Sequence, residues 1–405
     1  MSQNEMIVAG VMSGTSADGI DVAVVKIDLS DSSSTPASRK APHIRGQKCP
    51  RHTISLIGHR AFPYPPRVRA AVLSAMNADS ASVADLARLN VLLGELYADA
   101  VLATQRKFGV KVQLIGCHGQ TLYHQGDARP FLGRKIATTW QMGEGAIIAE
   151  RVGTPVISDF RPADMAAGGK GAPLVPYLDY IWFRDEKVGR IVQNIGGIAN
   201  LTAIPAGANA DETFAFDTGP GNMVIDAVTH KRFGIRFDRG GKIAASGKVI
   251  EPVVARILQR KFFHSKPPKT AGREEFGREF VREFARACGR ARKQDVVATA
   301  TALTARSIAD SVRRFVISKH GNFREIVISG GGARNRTLIR MLAEQLAPLK
   351  ITVRFADELG LPSQAKEAVA FAVLAYETWN GRPSNMPSAT GAKRPAVLGK
   401  ISYAT

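Results

Sequence analysis

The chain has 405 residues, of which 45% are hydrophobic and 22% charged, and its formal net charge is +20. This composition excludes extensive disorder, and the length predicts two domains or three. No run of about 18 apolar residues occurs, which excludes a membrane-spanning helix, and we expect no secretory signal at the start "MSQNEMIVAG". Three widely separated cysteines, Cys49, Cys117 and Cys288, predict free thiols in a reducing cytoplasm.

The strong positive charge raises the question of nucleic-acid binding, since clustered Lys and Arg release counterions from a phosphate backbone. The basic residues are dispersed, and in the stretch 273–294 they alternate with four glutamates, Glu274, Glu275, Glu279 and Glu283. That alternation predicts a solvated helix face with intrahelical ion pairs. No nucleic-acid-binding motif accompanies it. We therefore expect attraction of anionic small molecules, and nucleic acid stays the less favoured partner.

In chain order, the first predicted elements are the strands "MIVAGVM", "DVAVVKID" and "HTISLIGHRAF". A Ser- and Pro-rich basic segment, residues 30–52, separates the second and third strands and predicts a flexible hairpin extension. Apolar residues then recur at three- and four-residue steps up to about residue 108, which predicts a helical region with Ser82 as an N-cap.

Further apolar strands each end in small and polar residues: "VQLIGCHGQT", "TPVISDFRPAD", "RIVQNIGGIANLT", "TFAFDTGPGN" and "REIVISGGGARN". Alternating strands and helices predict an α/β protein whose site lies at the carboxyl ends of its strands. A sheet begins twice, at Met6 and again at Arg190. We therefore predict two similar lobes, residues 1–185 and 186–405, that face a cleft.

The first glycine-containing turn interrupts the opening pair of strands. Its small and hydroxyl residues expose backbone N–H groups and side-chain donors, which suits an anion such as phosphate. The alternative is an ordinary polar hairpin. The stretch comprises Gly14, Thr15, Ser16, Ala17, Asp18, Gly19, Ile20 and Asp21.

The second turn is "FDTGPGN", in which Gly219, Pro220 and Gly221 permit a sharp bend before a helix that begins near Asn222. A phosphate here would meet glycine N–H groups and the positive end of a helix dipole. Asp217 beside it is placed to act as a general base. The alternative is a type II turn in which Asp217 caps the helix.

The third turn, "SGGGARN", places Gly330, Gly331 and Gly332 between a strand and a helix, where a flat group can lie on bare backbone. The spacing is not that of a dinucleotide fingerprint. The stretch "GGKIAASGKV" is one residue too long for a Walker A loop and lacks its hydroxyl residue, so a P-loop enzyme is disfavoured.

Two polar clusters complete the candidate residues. "GCHGQTLYH" brings His118, Gln120, Thr121 and His124 to a strand end, where they can contact a substrate, hold structural hydrogen bonds or, less plausibly, ligate a metal. In "SDFRPAD", two carboxylates flank an arginine, which suits a polyhydroxylated or carboxylate-bearing substrate or a structural ion pair. The residues are Asp159, Arg161 and Asp164.

Three glycine turns without a Walker lysine match the order of loops in the actin, sugar kinase and heat-shock ATPase superfamily. The resemblance becomes specific in eight segments that occur in order from Met6 to Ile401. They are "GVMSGTSADGIDVAVV", "GCHGQT", "DFRPADMAAGGKGAPLVP", "NIGGIANLT", "FDTGPGN", "PPKTAGREEFG", "SGGGARN" and "KEAVAFAVLA" with its following "ATGA". Together they resemble the anhydro-N-acetylmuramic acid kinase family.

The resemblance implies an actin-like (ribonuclease H-like) two-lobed fold and ATP-dependent opening of the 1,6-anhydro bond of the sugar with phosphorylation at O6. The products are N-acetylmuramic acid 6-phosphate and ADP, in cell-wall (murein) recycling. It implies Mg²⁺ with the ATP, Asp217 as the base that activates water, and a homodimer. Gly14 to Asp21 with Gly219, Gly221 and Asn222 would bind phosphates, and Gly330 to Gly332 with Asn335 the adenosine. His118, Gln120, Asp159, Arg161 and Glu367 would contact the sugar.

Three features depart from the family pattern. The extension 30–52 is unusually long, Gln364 stands where an Asp is common, and Gly240 stands where an acid is common. The family does not account for the net charge. The alternatives are another sugar or acyl kinase of the superfamily, an ATP-binding module without catalysis, and a basic nucleic-acid-associated protein.

Overall fold

The computed structural model describes residues 5–30, 51–318 and 321–404. The chain divides into two compact units. Unit 1 consists of Met1–Trp182, Asn209–Asp211 and Gln364–Thr405, and unit 2 consists of Phe183–Ala208 and Glu212–Ser363. This division differs from the predicted boundary at 185/186 because the last 42 residues, 364–405, return to unit 1.

The described residues form twelve strands and two sheets. The strands are β1 (Glu5–Ser13), β2 (Gly19–Ser30), β3 (Arg51–Pro63), β4 (Leu114–Phe131), β5 (Arg134–Met142), β6 (Val156–Ser158), β7 (Gly189–Ile195), β8 (Ile198–Ile204), β9 (Phe214–Pro220), β10 (Phe323–Ser329), β11 (Thr352–Phe355) and β12 (Lys400–Ser402).

The helices flank these strands in chain order, and none of those described combines the length and apolarity needed to cross a bilayer. They are α1 (Pro66–Ala75), α2 (Val83–Phe108), α3 (Gly145–Val152), α4 (Phe160–Ala166), α5 (Pro176–Phe183), α6 (Asn222–Phe233), α7 (Lys242–Ala245), α8 (Glu251–Leu258), α9 (Lys261–His264), α10 (Arg273–Phe276), α11 (Arg278–Ala287), α12 (Lys293–Ser311), α13 (Arg336–Leu346), α14 (Lys366–Trp379) and α15 (Pro387–Thr390).

Both sheets have the same internal order. In unit 1 the order is β12-β6-β4-β1-β2-β3, with β5 paired to β4, and in unit 2 it is β11-β10-β7-β8-β9. Each contains three consecutive antiparallel strands followed by two that run parallel to the first of them. The predicted α/β class is confirmed, as are the two sheet starts, since β1 begins at Glu5 and β7 at Gly189.

Two paired glycines decide how the core of unit 1 is packed. Gly10 of β1 lies opposite Gly116 of β4, and helix α14 crosses directly over both. A Cβ atom on Gly10 would lie 1.8 Å from the carbonyl oxygen of Ala368, and one on Gly116 would lie 2.0 Å from that of Phe371. The bare strand backbone therefore lets α14 pack at a distance that no side chain allows, which holds the C-terminal segment in unit 1.

The long helix α2 begins and ends as its sequence predicts. The Ser82 side chain accepts a hydrogen bond from the Asp85 N–H at 3.3 Å, and Gly109 ends the helix with a φ of 63°. The ladder between β2 and β3 runs as far as Ser30 opposite Arg51. Most of the predicted extension, residues 31–50, lies outside the described residues and includes Cys49.

The predicted intrahelical ion pairs in 273–294 are not found among the described side chains. The chain breaks there into α10, α11 and the start of α12, and Glu283 instead pairs with Arg260 from another segment. Phe280 and Phe284 are buried, so one face of α11 packs into the core of unit 2. Sequence alternation alone did not show which partner each glutamate takes.

Candidate active site

The first glycine turn of unit 1 connects β1 to β2 and presents a small polar tip. Thr15 and Ser16 are exposed, whereas Ala17 and Ile20 are buried. Ala17 has a φ of 50°, and its N–H donates to the Gly14 carbonyl at 3.0 Å. The side chains that anchor the turn therefore point inward, and Thr15 and Ser16 are left to offer donors to an anion.

Two buried side chains hold this turn from below. Gln120 donates from Nε2 to the Gly14 carbonyl at 3.2 Å, and its Oε1 lies 2.7 Å from Ser13 Oγ. Ser13 Oγ also lies 2.9 Å from the Gly19 carbonyl, so its single proton is shared between two acceptors. Gln120 is fully buried, which makes it a support of the turn. Its predicted contact with the sugar stays a prediction.

A pair of tyrosines extends that support, and sequence reasoning missed both. Tyr64 donates to Ser13 Oγ at 2.9 Å, and its hydroxyl lies 2.9 Å from the Tyr97 hydroxyl. Burial raises the pKa of both phenols, so each stays protonated and keeps a hydroxyl proton to donate. The network joins α2, β4 and the residue that follows β3 to the start of the turn.

The polar cluster around His118, which lies inside β4 and not at a strand end as predicted, is organised by an arginine. Arg161 donates from Nε and Nη2 to His118 Nε2 at 3.1 and 2.8 Å, and from Nη1 to the Gly171 carbonyl at 2.7 Å. His118 Nε2 must then accept, and its Nδ1–H donates to the Gly119 carbonyl at 2.7 Å. Burial holds the pKa of His118 well below its usual value and the charge of Arg161 adds to that effect, so the imidazole is neutral.

Two carboxylates adjoin this cluster in unit 1. Desolvation raises the pKa of Glu367, although the positive charges of Lys366 and Arg161 oppose that shift. Asp159 adopts a φ of 52° and accepts a hydrogen bond from Lys400 Nζ at 2.9 Å. The non-glycine positive φ marks a position that the surrounding structure imposes.

Asp164, the second carboxylate that flanks Arg161 in sequence, stabilises the fold through buried hydrogen bonds. It is fully buried, and its Oδ2 accepts from the Gly171 N–H at 2.8 Å. Its Oδ1 accepts from Asn385 at 2.8 Å and from Thr390 at 2.7 Å. Among the described residues, no group of three or more His, Cys, Asp or Glu side chains is placed to hold a metal ion.

A polar cavity of about 280 Å³ lies against this cluster within unit 1. It contains two of the predicted sugar contacts, His118 and Asp159. Trp140 carries a weak sequence signal as an aromatic residue in the polar strand β5, whereas Lys400, near the far end of the chain, carries none. The lining includes Asn90, His118, Trp140, Glu144, Asp159 and Lys400.

In unit 2 the candidate base, Asp217, lies within β9. Its Oδ2 accepts a hydrogen bond from the Ala271 N–H at 2.7 Å, and its own N–H donates to the Lys269 carbonyl at 3.0 Å. Burial raises the pKa of Asp217 to about 6, against the lowering effects of the Ala271 N–H and Lys269. The capping alternative is wrong, because the N-cap of α6 is Gly221 and no side chain caps that helix.

Lys269, which the sequence reading did not single out, is a buried cation next to Asp217. Its Nζ donates to the Phe262 carbonyl at 3.1 Å and lies 4.6, 4.8 and 5.9 Å from three phenylalanine rings. Burial lowers the pKa of Lys269 to about 8. The rings belong to Phe262, Phe315 and Phe216. Such aromatic faces stabilise a cation with little water around it.

The second glycine turn has two N–H groups that are already bonded within unit 2. The Gly221 N–H donates to the Gly197 carbonyl at 2.9 Å, and the Asn222 N–H donates to the Gly196 carbonyl at 2.7 Å. A Cβ atom on Gly221 would lie 2.3 Å from the Gly196 oxygen. Both N–H groups therefore bond to residues 196–197, and the predicted phosphate contacts of Gly219, Gly221 and Asn222 stay a prediction.

The third glycine turn packs against the end of β7. A Cβ on Gly330 would lie 2.5 Å from Asn194 Oδ1, and one on Gly332 would lie 2.3 Å from the Ile195 side chain. Gly331 is freer, with Asn222 Nδ2 as its nearest neighbour at 3.5 Å. The turns at residues 196–197, 219–222 and 330–332 therefore meet at the carboxyl ends of β7 and β10.

Asn335 follows the third turn and caps α13. Its Oδ1 accepts a hydrogen bond from the Leu338 N–H at 3.0 Å. Beside it, the residue Gly241 is so close that a Cβ there would lie 2.1 Å from Asn335 Oδ1. The cap explains why an asparagine suits this position, and its predicted contact with adenosine stays a prediction.

Two repeated sheets, each in its own compact unit and each with small-residue turns after its strands, define a two-unit α/β protein. A sequence model of one family, anhydro-N-acetylmuramic acid kinase, matches residues 6–404. The chain belongs to that family.

Individual relatives agree with the family match over the whole chain. An anhydro-N-acetylmuramic acid kinase of Caldanaerobacter subterraneus subsp. tengcongensis is 43% identical over 410 residues, covering 99% of this chain and 98% of the relative. One from Bacillus cereus (strain AH187) is 40% identical over 401 residues, covering 98% of this chain and 99% of the relative.

Solved structures resemble the chain more distantly. The activator of the 2-hydroxyisocaproyl-CoA dehydratase from Clostridium difficile has a TM-score of 0.41 at 13% identity, covering 93% of this chain and 96% of that chain. The ROK hexokinase from Thermus thermophilus has a TM-score of 0.39 at 13% identity, covering 93% of this chain and 100% of that chain.

Proposed function

We propose that this protein is an ATP-dependent kinase acting on 1,6-anhydro-N-acetylmuramic acid in murein recycling. It hydrolyses the 1,6-anhydro bond and phosphorylates O6, which gives N-acetylmuramic acid 6-phosphate and ADP. The observation that carries the proposal is the family match across residues 6–404. The half-buried Asp217 carboxyl, with a pKa near 6, supports it chemically.

We assign the base to Asp217. As a carboxylate it takes a proton from water as the water oxygen bonds to the anomeric carbon and the C1–O6 bond breaks. The released O6 attacks the γ-phosphorus, and the bond from that phosphorus to the ADP oxygen breaks. A pKa near 6 keeps the side chain largely ionised at neutral pH while leaving it more basic than an ordinary aspartate. The Ala271 N–H fixes the orientation of one carboxylate oxygen.

We assign ATP to the turns at the strand ends. Thr15 and Ser16 are the exposed donors of the turn 14–21, and Gly331 offers open backbone in the turn 330–332. The N–H groups of Gly221 and Asn222 are already bonded within unit 2. We therefore assign these two residues, with Gly219, the role of fixing the shape of the turn beside the phosphates. Asn335 holds the adenosine turn against α13.

Mg²⁺ fits this arrangement as an ion that arrives with ATP. The described residues form no dedicated metal cluster, and Mg²⁺ typically uses few protein carboxylates beside phosphates and water. Asp21, whose Oδ1 lies 2.9 Å from His59 Nε2, is the carboxylate we assign to it. Bound there, the ion would neutralise charge on the phosphates during transfer.

We assign the sugar to the cluster in unit 1. The neutral His118 and the charged Arg161 form a fixed donor and acceptor pair, and Glu367 and Asp159 supply acceptors for hydroxyl or amide groups. Arg161 also carries the positive charge that a muramic acid carboxylate requires. Because the reaction needs ATP, we propose that the protein acts in the cytoplasm. We also propose that it is a homodimer, which light scattering on the purified protein would test.

The experiment for this function measures ATP-dependent products with the anhydro sugar and, in parallel, with common hexoses. We expect equimolar ADP and sugar 6-phosphate with the anhydro sugar and no product with hexoses. Phosphorylation of a hexose in preference would favour another kinase of the superfamily. ATP binding without any transfer would favour a non-catalytic module.

The tyrosine pair gives a second test of the ATP assignment. Tyr97→Phe removes one hydroxyl from the support of the turn 14–21, and loss of such a hydrogen bond is worth about 1 kcal/mol. We expect the KM for ATP to rise about fivefold, with the KM for the sugar unchanged, in steady-state kinetics. Tyr123→Phe is the matched control, because Tyr123 is exposed and its hydroxyl donates to the half-buried Gln125 at 2.9 Å, away from the turn 14–21. Equal effects of both variants would contradict the support role.

A further inference from the structure

The strands β4 and β5 continue past the sheet of unit 1 as a two-stranded ribbon. Beyond Gln120, β4 pairs with β5 alone, from Thr121 opposite Gln141 to Phe131 opposite Arg134. The far half of this ribbon is exposed to solvent. We call residues 129–136, around its turn, the hairpin tip.

The hairpin tip exposes apolar side chains at a position that disfavours them. Phe131 is 61% exposed and Leu132 is 88% exposed. Leu132 and Gly133 both have positive φ, 45° and 78°, as in a two-residue hairpin turn that normally takes Asn-Gly. Leucine disfavours a positive φ, and its apolar side chain is exposed to water here. The needs of the turn itself therefore do not explain a leucine at this position.

Positive charge surrounds these apolar side chains. Arg129, Arg134 and Lys135 are exposed, and none of them pairs with a carboxylate of the described chain. The acidic residue earlier in the ribbon, Asp127, is paired with Lys170 at 2.9 Å. The tip therefore combines two strongly exposed apolar side chains, Phe131 and Leu132, and the less exposed Ile136 with three exposed cations.

We propose that the hairpin tip docks on an anionic lipid membrane. Phe131 and Leu132 would enter the interfacial region of the bilayer, while the three cations contact phospholipid headgroups. A second copy of the chain is a poorer occupant, because a symmetric contact would bring the like-charged tips together. This inference goes beyond the proposed kinase activity and does not depend on it.

The test is co-sedimentation of the full-length protein with vesicles of phosphatidylcholine alone or containing about one-third phosphatidylglycerol. We expect binding to the anionic vesicles only, with loss at high salt because exposed charges are then screened. Leu132→Asn should reduce bound protein by about tenfold, and Arg134→Gln with Lys135→Gln by a similar factor. Asparagine suits the positive φ, so the first variant should fold at least as well as the parent chain.

The matched controls remove an exposed apolar side chain or two exposed positive charges from another part of unit 1. Val83→Ser deletes an 82% exposed apolar side chain at the start of α2, and Arg106→Gln with Lys107→Gln removes two exposed charges at its end. Both controls should bind vesicles as the parent chain does, and kinase activity should be unchanged in Leu132→Asn.

Three results would overturn the proposal. The parent chain would fail to sediment with anionic vesicles, or the tip variants would bind as well as it does. Alternatively, light scattering would show that Leu132→Asn dissociates an oligomer, which would make the tip a contact between copies of this chain.

Discussion

Asp217→Asn should lower turnover by about 10²- to 10⁴-fold while leaving the affinity for ATP within about twofold of the parent value. Asparagine has nearly the same shape and can still accept from the Ala271 N–H, so the local fold is kept. It cannot take a proton from water. The measurement pairs steady-state turnover of the anhydro sugar with equilibrium binding of ATP, and retained turnover would contradict the assignment.

The same assignment predicts the direction in which kcat changes with pH. Asp217 has a pKa raised to about 6 and must be ionised to act as a base, so kcat should fall as the pH drops through about 6. Asp226, on α6, is the matched control because burial raises its pKa to about 6 as well. Asp226→Asn should keep both turnover and the acid limb. If the limb disappeared in that variant, the titrating group would be Asp226.

Lys269 provides a second check on which group titrates. Its charge lowers the pKa of Asp217 against the opposing effect of burial. Lys269→Met keeps a long apolar side chain among the three phenylalanine rings and removes the charge. The acid limb should move to higher pH, and a limb that moved to lower pH or stayed fixed would show that Lys269 does not act on the titrating group.

Local patterns predicted much of the fold and of the placement of the site. The two sheet starts, the Ser82 cap and the polar turns at strand ends depend on residues near each other in sequence, where periodicity and backbone preferences are readable. The positions of the three glycine turns follow from the same signals. Which of their N–H groups stay available does not, because Gly221 and Asn222 are bonded to a turn more than twenty residues earlier.

The parts that sequence could not predict depend on distant partners. The rings around Lys269 come from Phe216, Phe262 and Phe315, which no local pattern connects. Lys400 reaches Asp159 from the last strand of the chain. Long-range contacts of this kind are set by packing, so they determine the electrostatics of the candidate site without leaving a signature in either segment.

Gly116→Ala should be among the most destabilising single substitutions in unit 1, with a loss of about 3 kcal/mol in the free energy of unfolding. The added Cβ would lie 2.0 Å from the Phe371 carbonyl oxygen and 2.8 Å from the Ala375 Cβ. Gly10→Ala should be similarly harmful, because its Cβ would lie 1.8 Å from the Ala368 oxygen. In both cases α14 must move away from the sheet, which opens packing along its whole buried face.

The prediction opposes what backbone preference alone implies. Neither Gly10 nor Gly116 has a positive φ, so alanine should fit their backbone and ordinarily stabilise a strand. Gly109→Ala is the matched control, since its φ of 63° disfavours alanine but nothing lies within 4 Å of the added Cβ, and it should cost about 1 kcal/mol. Urea unfolding, with hydrogen exchange of the α14 amides, ranks the three variants. If Gly109→Ala proved the more harmful change, close packing of α14 on the glycine pair would not be what holds the C-terminal segment in unit 1.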